Sequence, residues 1–192
     1  MRDCVHVEHI WKSYGERTVL RDVRFTAGAD RVTCVMAPSG AGKTTLLRIL
    51  LGLEPPDRGT VSLPGTGRWA AVFQEDRLLE HLDVWGNLRF ALGADWDASR
   101  AAALLEELGL AETAGEPVRA FSGGMRRRLA LIRALLAPFD ALALDEPFTG
   151  LDGENRERCR ACLLREAAGH PVVLVTHEEA DAAGLRGEIL RL

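Results

Sequence analysis

The feature that most constrains the fold of this chain is an apolar segment that leads directly into a glycine-rich loop. Residues 31–36 have the compact apolar pattern of a buried strand, and residues 37–45 read APSGAGKTT. Leucines at helical spacing follow from residue 44 to residue 53. A strand, a glycine-rich loop and a helix in this order present backbone N–H groups and the positive end of a helix dipole to an anion. The segment therefore predicts an α/β unit that binds phosphate.

The loop follows the phosphate-binding pattern GxxxxGK(S/T) except at its first position, where Ala37 replaces glycine. Gly40 and Gly42 allow the backbone to curl around an anion. Lys43 is expected to reach the β- and γ-phosphates of a nucleotide, and the Thr44 hydroxyl to coordinate Mg²⁺. The methyl group of Ala37 is tolerable at a negative φ and costly at a positive φ. For this loop taken alone, a chance glycine-rich turn is the alternative explanation.

Two other apolar segments, residues 141–144 and 172–176, are typical of buried parallel strands, and polar side chains follow both. Asp145 is placed to hold magnesium through its water shell, and Glu146 to polarise an attacking water. His177 leaves its strand toward the same edge, which favours a contact with a γ-phosphate. The sequence Asp-Glu-Pro is also good turn chemistry, which is the alternative for the acidic pair.

The remaining patterns place these segments in a larger architecture. Alternating apolar and polar residues across 5–25 predict antiparallel strands with one solvated face. Residues 69–73 and 188–192 predict two further short strands, and residues 78–137 have a helical pattern. We therefore expect an α/β core that carries an inserted helical lobe.

A second glycine motif precedes the helical sequence MRRRLALIRALL. Ser122 is well suited as the N-cap of this helix, and Gly123 and Gly124 follow it. Exposed N–H groups at this helix start would bind a second phosphate. The three arginines at 126–128 would alternatively suggest a nucleic-acid surface, but the net charge of −4 argues against that interpretation.

The composition indicates a soluble globular chain. The hydrophobic fraction is 47%, and no stretch approaches the ~18 apolar residues of a spanning helix. The polar, alternating N-terminus is unlike a signal peptide, so we expect a cytoplasmic protein whose membrane part, if any, is another chain. Cys159 and Cys162 form a CxxC motif, as in half of a zinc site or a redox pair. No second such motif accompanies it, which favours a pair of partly buried helical thiols.

With these motifs in order, the chain resembles the ATPase subunit of an ABC transporter almost from end to end. The loop at residues 37–44 resembles the Walker A loop, and residues 121–125, FSGGM, resemble the LSGGQ signature. Asp145 and Glu146 match the Walker B aspartate and the catalytic glutamate, residues 149–152 match the D-loop, and His177 matches the switch histidine.

This resemblance implies a set of site residues. Tyr14 would stack on adenine, and Gln74 would sense Mg²⁺ and face a permease. The implied catalytic residues are Glu146, His177 and Lys43. The implied ligands of ATP are Tyr14, Ser39, Gly40, Ala41, Gly42, Lys43, Thr44, Thr45, Gln74, Ser122, Gly123, Gly124 and Asp152, and those of magnesium are Thr44, Gln74 and Asp145.

The resemblance also implies a fold and partners. We expect a P-loop NTPase core with an antiparallel β subdomain and an inserted helical subdomain. Residues 1–192 would form one domain, with the nucleotide-binding core at 1–77 and 138–192 and the helical signature subdomain at 78–137. A second ATPase subunit, identical or different, would pack head to tail, so that Ser122 and Gly124 complete the partner's ATP site. A separate transmembrane permease would dock around Leu78–Trp85, at the inner face of the cell membrane, with a solute-binding protein as a further candidate partner and no nucleic acid.

The segment VFQEDRLLEHLDVWGNL resembles the nitrate, sulfonate and taurine group of bacterial importers. Departures from the family pattern are Ala37, Met125 in place of the signature glutamine, and an end 15 residues after His177, from which we expect no regulatory domain. Ala37 and Met125 motivate one alternative, a degenerate cassette that binds ATP and regulates a partner without turnover. An ABC ATPase of DNA repair or translation is the other alternative, but the chain has neither a coiled-coil insertion nor a second cassette.

Overall fold

The computed structural model describes residues 4–38 and 40–192, which divide into two compact units. The first unit contains the residues up to 71, together with 139–146 and 167–192, and the second contains 72–138 and 147–166. The predicted α/β fold, with an antiparallel sheet, a second sheet with parallel pairs and a helical region, is confirmed. The predicted division of the domain at residues 77/78 and 137/138 stays a prediction.

The smaller sheet of the first unit has three antiparallel strands in the order β2-β1-β4. They are β1 (Cys4–Tyr14), β2 (Arg17–Gly28) and β4 (Arg58–Ser62). Val5, Val7 and Ile10 of β1 are buried, so the alternation that predicts the strand breaks after Val7. The cause is a register irregularity between Val7 and Ile10, where His9 takes a positive φ of 52°.

The larger sheet has the strand order β5-β6-β7-β3-β8. Its strands are β3 (Val32–Met36), β5 (Trp69–Val72), β6 (Ala141–Asp145), β7 (Val172–Thr176) and β8 (Glu188–Arg191). Every residue of β3, β6 and β7 is buried, which explains their unbroken apolar sequences. The pairs β3–β7, β3–β8 and β6–β7 are parallel, so the carboxyl ends of these strands lie at one edge of the sheet.

The helices of the first unit are α1 (Lys43–Leu50) and α6 (Glu179–Gly184). The leucine spacing predicts a helix over residues 44–53 that closes at Gly52, and α1 ends at Leu50, two residues before that glycine. Gly52, at a φ of 67°, donates its N–H to the Ile49 carbonyl, and Leu53 donates to the Arg48 carbonyl. This pair of bonds closes the helix around a left-handed glycine, which agrees with the predicted stop at Gly52.

The second unit contains four α-helices: α2 (Val84–Leu92), α3 (Ala98–Glu107), α4 (Gly123–Leu136) and α5 (Gly153–Glu166). Two short 3-10 helices, Gly93–Asp95 and Val118–Ala120, complete it. Side-chain oxygens of Asp83, Asp97 and Ser122 cap the first three of them. Leu88, Leu104 and Leu131 are among the fully or almost fully buried side chains of this unit. None of the helices that the structure describes has the length and apolar character that a membrane crossing requires.

Candidate functional site

The glycine-rich loop joins β3 to α1 in the conformation that its glycines permit. Gly40 and Gly42 have φ values of 77° and 95°, and α1 begins at the next residue, Lys43. A side chain at Gly42 would place its Cβ 2.7 Å from Val19 and 2.8 Å from Leu20 of β2. Glycine is therefore required at residue 42 both for its φ and for the close approach of β2.

The side chain of Lys43 folds back onto the loop that precedes it. Its Nζ donates to the carbonyl oxygens of Ala37 at 2.6 Å and Pro38 at 3.1 Å. Ala37 is not among the described non-glycine residues with a positive φ, so its methyl group costs no backbone strain. Ser39, which the family resemblance assigns to nucleotide binding, lies outside the described residues.

A hydroxyl and a carboxylate meet at the start of α1. Thr44 Oγ1 donates to Asp145 Oδ2 at 3.4 Å, and Asp145 is the last residue of β6, with 4% of its surface exposed. Asp145 pairs in register with Val175 of β7. Both oxygens are of the kind that a hard cation such as Mg²⁺ prefers. The structure thus brings together two of the three magnesium ligands expected from the sequence.

Glu146 and His177 form a contact at the same edge of the sheet. Glu146 has a φ of 47°, which is unusual for a residue with a side chain, while its backbone N–H donates to the Val175 carbonyl at 2.8 Å. Glu146 Oε1 lies 2.8 Å from Nδ1 of His177, the residue that follows β7. The Glu146 side chain is 17% exposed, whereas that of His177 is 57% exposed. The strained backbone turn therefore aims the carboxylate along the sheet edge, where the imidazole meets it.

Tyr14 ends β1 with its side chain exposed and its hydroxyl fixed. The hydroxyl donates to Glu54 Oε1 at 2.6 Å, and this bond, with help from Lys12, lowers the pKa of Glu54. Lys12 Nζ donates to the Pro55 carbonyl and lies 5.6 Å from the centre of the Tyr14 ring. The sequence pattern did not predict this support, although Lys12 is one of only two lysines in the chain.

In the second unit, the signature residues and the D-loop residues line one cavity of about 500 Å³. Ser122, Gly123, Gly124 and Asp152 are among its lining residues. Ser122 Oγ accepts the Met125 N–H at 3.2 Å, which confirms Ser122 as the N-cap of α4. A Cβ on Gly124 would lie 3.3 Å from the carbonyl oxygen of Gly150, so the signature and the D-loop are closely packed.

Asn155 holds the carboxylate of Asp152 through two hydrogen bonds. Asn155 donates its backbone N–H to Asp152 Oδ1 at 2.9 Å and its side-chain N–H to Oδ2 at 2.7 Å. These two bonds lower the pKa of Asp152. Asn155 Oδ1 in turn accepts from Arg128 Nη1 of α4 at 3.1 Å. Neither Asn155 nor Arg128 was predicted for this role from the sequence, because their contact spans 27 residues.

Gln74 follows β5, belongs to the second unit and is exposed. Its carbonyl oxygen accepts from Arg127 Nη2 at 3.0 Å. The other candidates, Ala41 and Thr45, lie in the loop turn and the first turn of α1; Ala41 N–H donates to the Pro38 carbonyl at 3.2 Å.

The CxxC cysteines lie inside the second unit. Cys159 and Cys162 are free thiols without exposed surface, and burial raises the pKa of each to about 12. In the part of the chain that the structure describes, no group of three or more His, Cys, Asp or Glu side chains is arranged to hold a metal ion. Both thiols are therefore packed as small apolar side chains.

Comparison with solved structures supports the fold. A dimeric bacterial ABC transporter cassette, MJ0796, superposes with a TM-score of 0.84 at 27% identity, covering 98% of this chain and 94% of that one. A bacterial Atm1-family ABC exporter with ATP bound gives a TM-score of 0.85 at 21% identity, over 100% of this chain and 37% of that chain. The second likeness shows the fold alone.

Comparison with curated proteins finds aliphatic sulfonates import ATP-binding proteins among the relatives. The aliphatic sulfonates import ATP-binding protein SsuB 2 of Burkholderia cenocepacia (strain HI2424) is 40% identical over 193 residues, which cover 94% of this chain and 70% of that protein. SsuB 1 of Rhodococcus jostii (strain RHA1) is 40% identical, over 99% of this chain and 78% of that protein. The profile of the ABC transporter family matches residues 20–149. The chain therefore belongs to the ABC transporter family and is the ATP-binding, ATP-hydrolysing subunit of such a transporter.

Proposed function

We propose that this chain is the Mg²⁺-dependent ATPase subunit of a bacterial importer for small organic anions of the sulfonate class. The observation that carries the proposal is the meeting of Thr44 with Asp145, and of Glu146 with His177, at the edge of the sheet beside the glycine-rich loop. The names of the relatives, aliphatic sulfonates import ATP-binding proteins, support the direction of transport and the class of cargo.

The loop and Tyr14 would bind the nucleotide. Backbone N–H groups of residues 40–45 would surround the β-phosphate, and the N-terminus of α1 would add its dipole. Lys43 Nζ, which donates to two loop carbonyls, would exchange these bonds for phosphate oxygens. The ring of Tyr14, held by Glu54, would stack on the adenine.

The residues present fit a magnesium ion. The Thr44 hydroxyl and the Asp145 carboxylate are oxygen donors that already lie side by side, and Gln74 would supply a third oxygen. A magnesium ion bound there would neutralise the charge of the β- and γ-phosphates. The buried position of Asp145 at the end of β6 would keep this carboxylate in one orientation.

Glu146 and His177 would act on the attacking water. The Glu146 carboxylate would accept a hydrogen bond from the water and orient it toward the γ-phosphate. His177 would hold the carboxylate by the 2.8 Å contact with Nδ1 and would present its exposed ring to the phosphate. The backbone strain at Glu146 would restrict the carboxylate to this position.

Two copies of the cassette would work together on the inner face of the membrane. The cavity that Ser122, Gly124 and Asp152 line would receive the nucleotide of a second subunit, identical or different in sequence. The dimeric structure of the related cassette supports this pairing. A separate permease, contacted by residues 78–85, would carry the solute, which a binding protein would deliver.

ATP turnover at several protein concentrations tests the enzymatic part of the proposal. Turnover of the wild type should rise faster than linearly with protein concentration, because each site needs a second subunit. Glu146→Gln should still bind ATP but lose about 100-fold or more of the turnover. Glu179→Gln is the matched control, since Glu179 is an exposed carboxylate that pairs only with Arg191 in the contacts described, and it should keep wild-type turnover. Normal turnover in Glu146→Gln would refute the assigned role.

Growth on an aliphatic sulfonate as the sole sulfur source tests the cargo. Deletion of the gene should abolish growth on the sulfonate but not on sulfate, and the wild-type gene should restore it. Lys43→Ala should not restore growth. Unchanged growth of the deletion strain on sulfonates would refute the cargo class while leaving the ATPase assignment intact.

A further inference from the structure

The arginine triplet at residues 126–128 points in three directions from α4. Successive residues of a helix are about 100° apart, so three neighbours reach three different segments. Arg126 pairs with Glu80 at 3.1 Å, and Arg128 donates to Asn155 of the D-loop region and to the Leu108 carbonyl. Arg127 is the buried member of the triplet, with 7% of its side chain exposed.

Arg127 binds the main chain of the segment that contains Gln74. Its Nη1 donates to the Phe73 carbonyl at 2.6 Å, and its Nη2 donates to the Gln74 carbonyl at 3.0 Å. Asp76 Oδ1 lies 3.1 Å from Nη1 as an ion pair, without hydrogen-bond geometry. One guanidinium therefore contacts three of the four residues from 73 to 76.

This segment depends on α4 for its order. Residues 73–77 belong to no strand or helix, and Arg77 has a φ of 49°. Arg133, two turns along α4 from Arg127, donates to the carbonyls of Asp76 at 2.8 Å and Arg77 at 2.6 Å. Four backbone carbonyls that lie outside the sheet thus find their donors on two arginines of one helix.

We propose that Arg127 is a positioning residue, which fixes the main chain of Gln74 to α4 so that Gln74 and the signature serine Ser122 move as one piece. The inference rests on the proposed function, which gives Gln74 and Ser122 contacts with the nucleotides of the two subunits. Ser122 caps the helix that carries Arg127, and Arg127 holds the carbonyl of Gln74. A shift of either segment would therefore displace the other.

Amide hydrogen exchange of the nucleotide-free protein tests the clamp directly. In Arg127→Met, exchange across residues 74–77 should accelerate about tenfold or more, the scale of one lost charge-assisted hydrogen bond, while residues 129–136 of α4 keep their protection. Arg126→Met removes a neighbouring arginine and should leave both segments unchanged. Unchanged exchange of residues 74–77 in a folded Arg127→Met protein would overturn the proposal.

Arg127→Lys keeps the inference testable if Arg127→Met fails to fold. Lysine retains the ion pair with Asp76, but it lacks the planar fork that serves two carbonyls. This variant should unfold close to the wild-type temperature and still show faster exchange across residues 74–77. Wild-type exchange in Arg127→Lys would overturn the requirement for the guanidinium.

The magnesium dependence of ATP turnover separates positioning from a general loss of stability. Arg127→Met should raise the Mg²⁺ concentration for half-maximal turnover about tenfold, as Gln74→Ala should. Gln74→Ala combined with Arg127→Met should be no worse than Gln74→Ala alone, because both changes act on one contact. If the losses of the two single variants add up in the double variant, this inference is overturned while the proposed function stands. No turnover by the wild type, with or without a permease, would refute the proposed function and the inference with it.

Discussion

Replacement of Gly42 by alanine perturbs the loop in two ways that the structure separates. At a φ of 95°, any residue with a Cβ is strained by about 1–2 kcal/mol. The new Cβ would also lie 2.7 Å from Val19 Cγ1, 2.8 Å from Leu20 Cδ2 and 3.1 Å from the Val19 carbonyl oxygen. The two side chains can rotate, but the carbonyl belongs to β2 and cannot move alone. Overpacking of this kind costs about 1–3 kcal/mol more.

Gly40→Ala is the matched control for this prediction. Gly40 has a similar φ of 77°, but a Cβ at this residue would meet the Arg17 guanidinium at 3.7 Å, which is an ordinary contact with a flexible side chain. Both variants make the unfolded chain slightly stiffer, and that effect cancels between them. We therefore expect Gly42→Ala to lose about 2–5 kcal/mol of unfolding free energy and Gly40→Ala only about 1–2 kcal/mol.

Urea unfolding followed by circular dichroism, without nucleotide, measures both losses. The free energy of unfolding should fall with urea concentration at the same slope in both variants. The urea concentrations at the unfolding midpoints then report differences in stability. Each kcal/mol should lower the thermal midpoint by about 2–4 °C for a chain of this size. Equal losses in the two variants would show that the close approach of β2 to Gly42 does not limit the loop, which would refute the reasoning.

Two further predictions concern buried thiols and one carboxylate. Cys159 and Cys162, with pKa values of about 12, should stay unmodified by a thiol reagent at about pH 8 until the protein is denatured; labelling of the folded protein at both residues would contradict their burial. The N–H of Arg68 and the hydroxyl of Thr66 lower the pKa of Asp140, so this carboxylate stabilises the fold above the pKa it has in the unfolded chain and loses its contribution as the pH falls through the folded-state pKa. The difference in unfolding free energy between the wild type and Asp140→Asn should therefore be constant above about pH 5 and shrink below about pH 4, as measured by chemical denaturation. A difference that grows in acid would show that the pKa of Asp140 is not lowered by folding.

The sequence predicted the parts of the molecule whose structure follows from the types of neighbouring residues. Residues 172–176 form a strand with the predicted bounds, because a short apolar run rich in β-branched residues fits a buried strand well. Ser122 is the N-cap because its short hydroxyl side chain accepts the N–H of Met125, three residues further on. Thr44 and Asp145 were both expected to be magnesium ligands, and their side chains do meet, at 3.4 Å.

The sequence could not show contacts between distant segments or local irregularities of the backbone. The contact of Arg127 with Phe73 and Gln74 joins residues more than 50 positions apart, and three arginines in a helix are typical of a solvated or nucleic-acid-binding face. The support of Tyr14 by Glu54 spans 40 residues. The register irregularity at His9 depends on backbone conformation, which no alternation of residue types indicates. For Arg127 and Tyr14 the decisive information is the identity of a distant partner residue, which the local pattern does not contain.

The two substitutions that motivated a degenerate cassette remove nothing that the structure uses. Ala37 avoids the positive φ at which a methyl group would be costly, and it contributes to the site through a carbonyl oxygen that any residue would supply to Lys43. Met125 contributes its backbone N–H to the Ser122 cap, and this bond is independent of the side chain. Lys43, Asp145, Glu146 and His177, the residues expected to act in ATP hydrolysis, are all present in the chain. Ala37 therefore leaves the Lys43 contact in place, and Met125 leaves the cap of α4 in place.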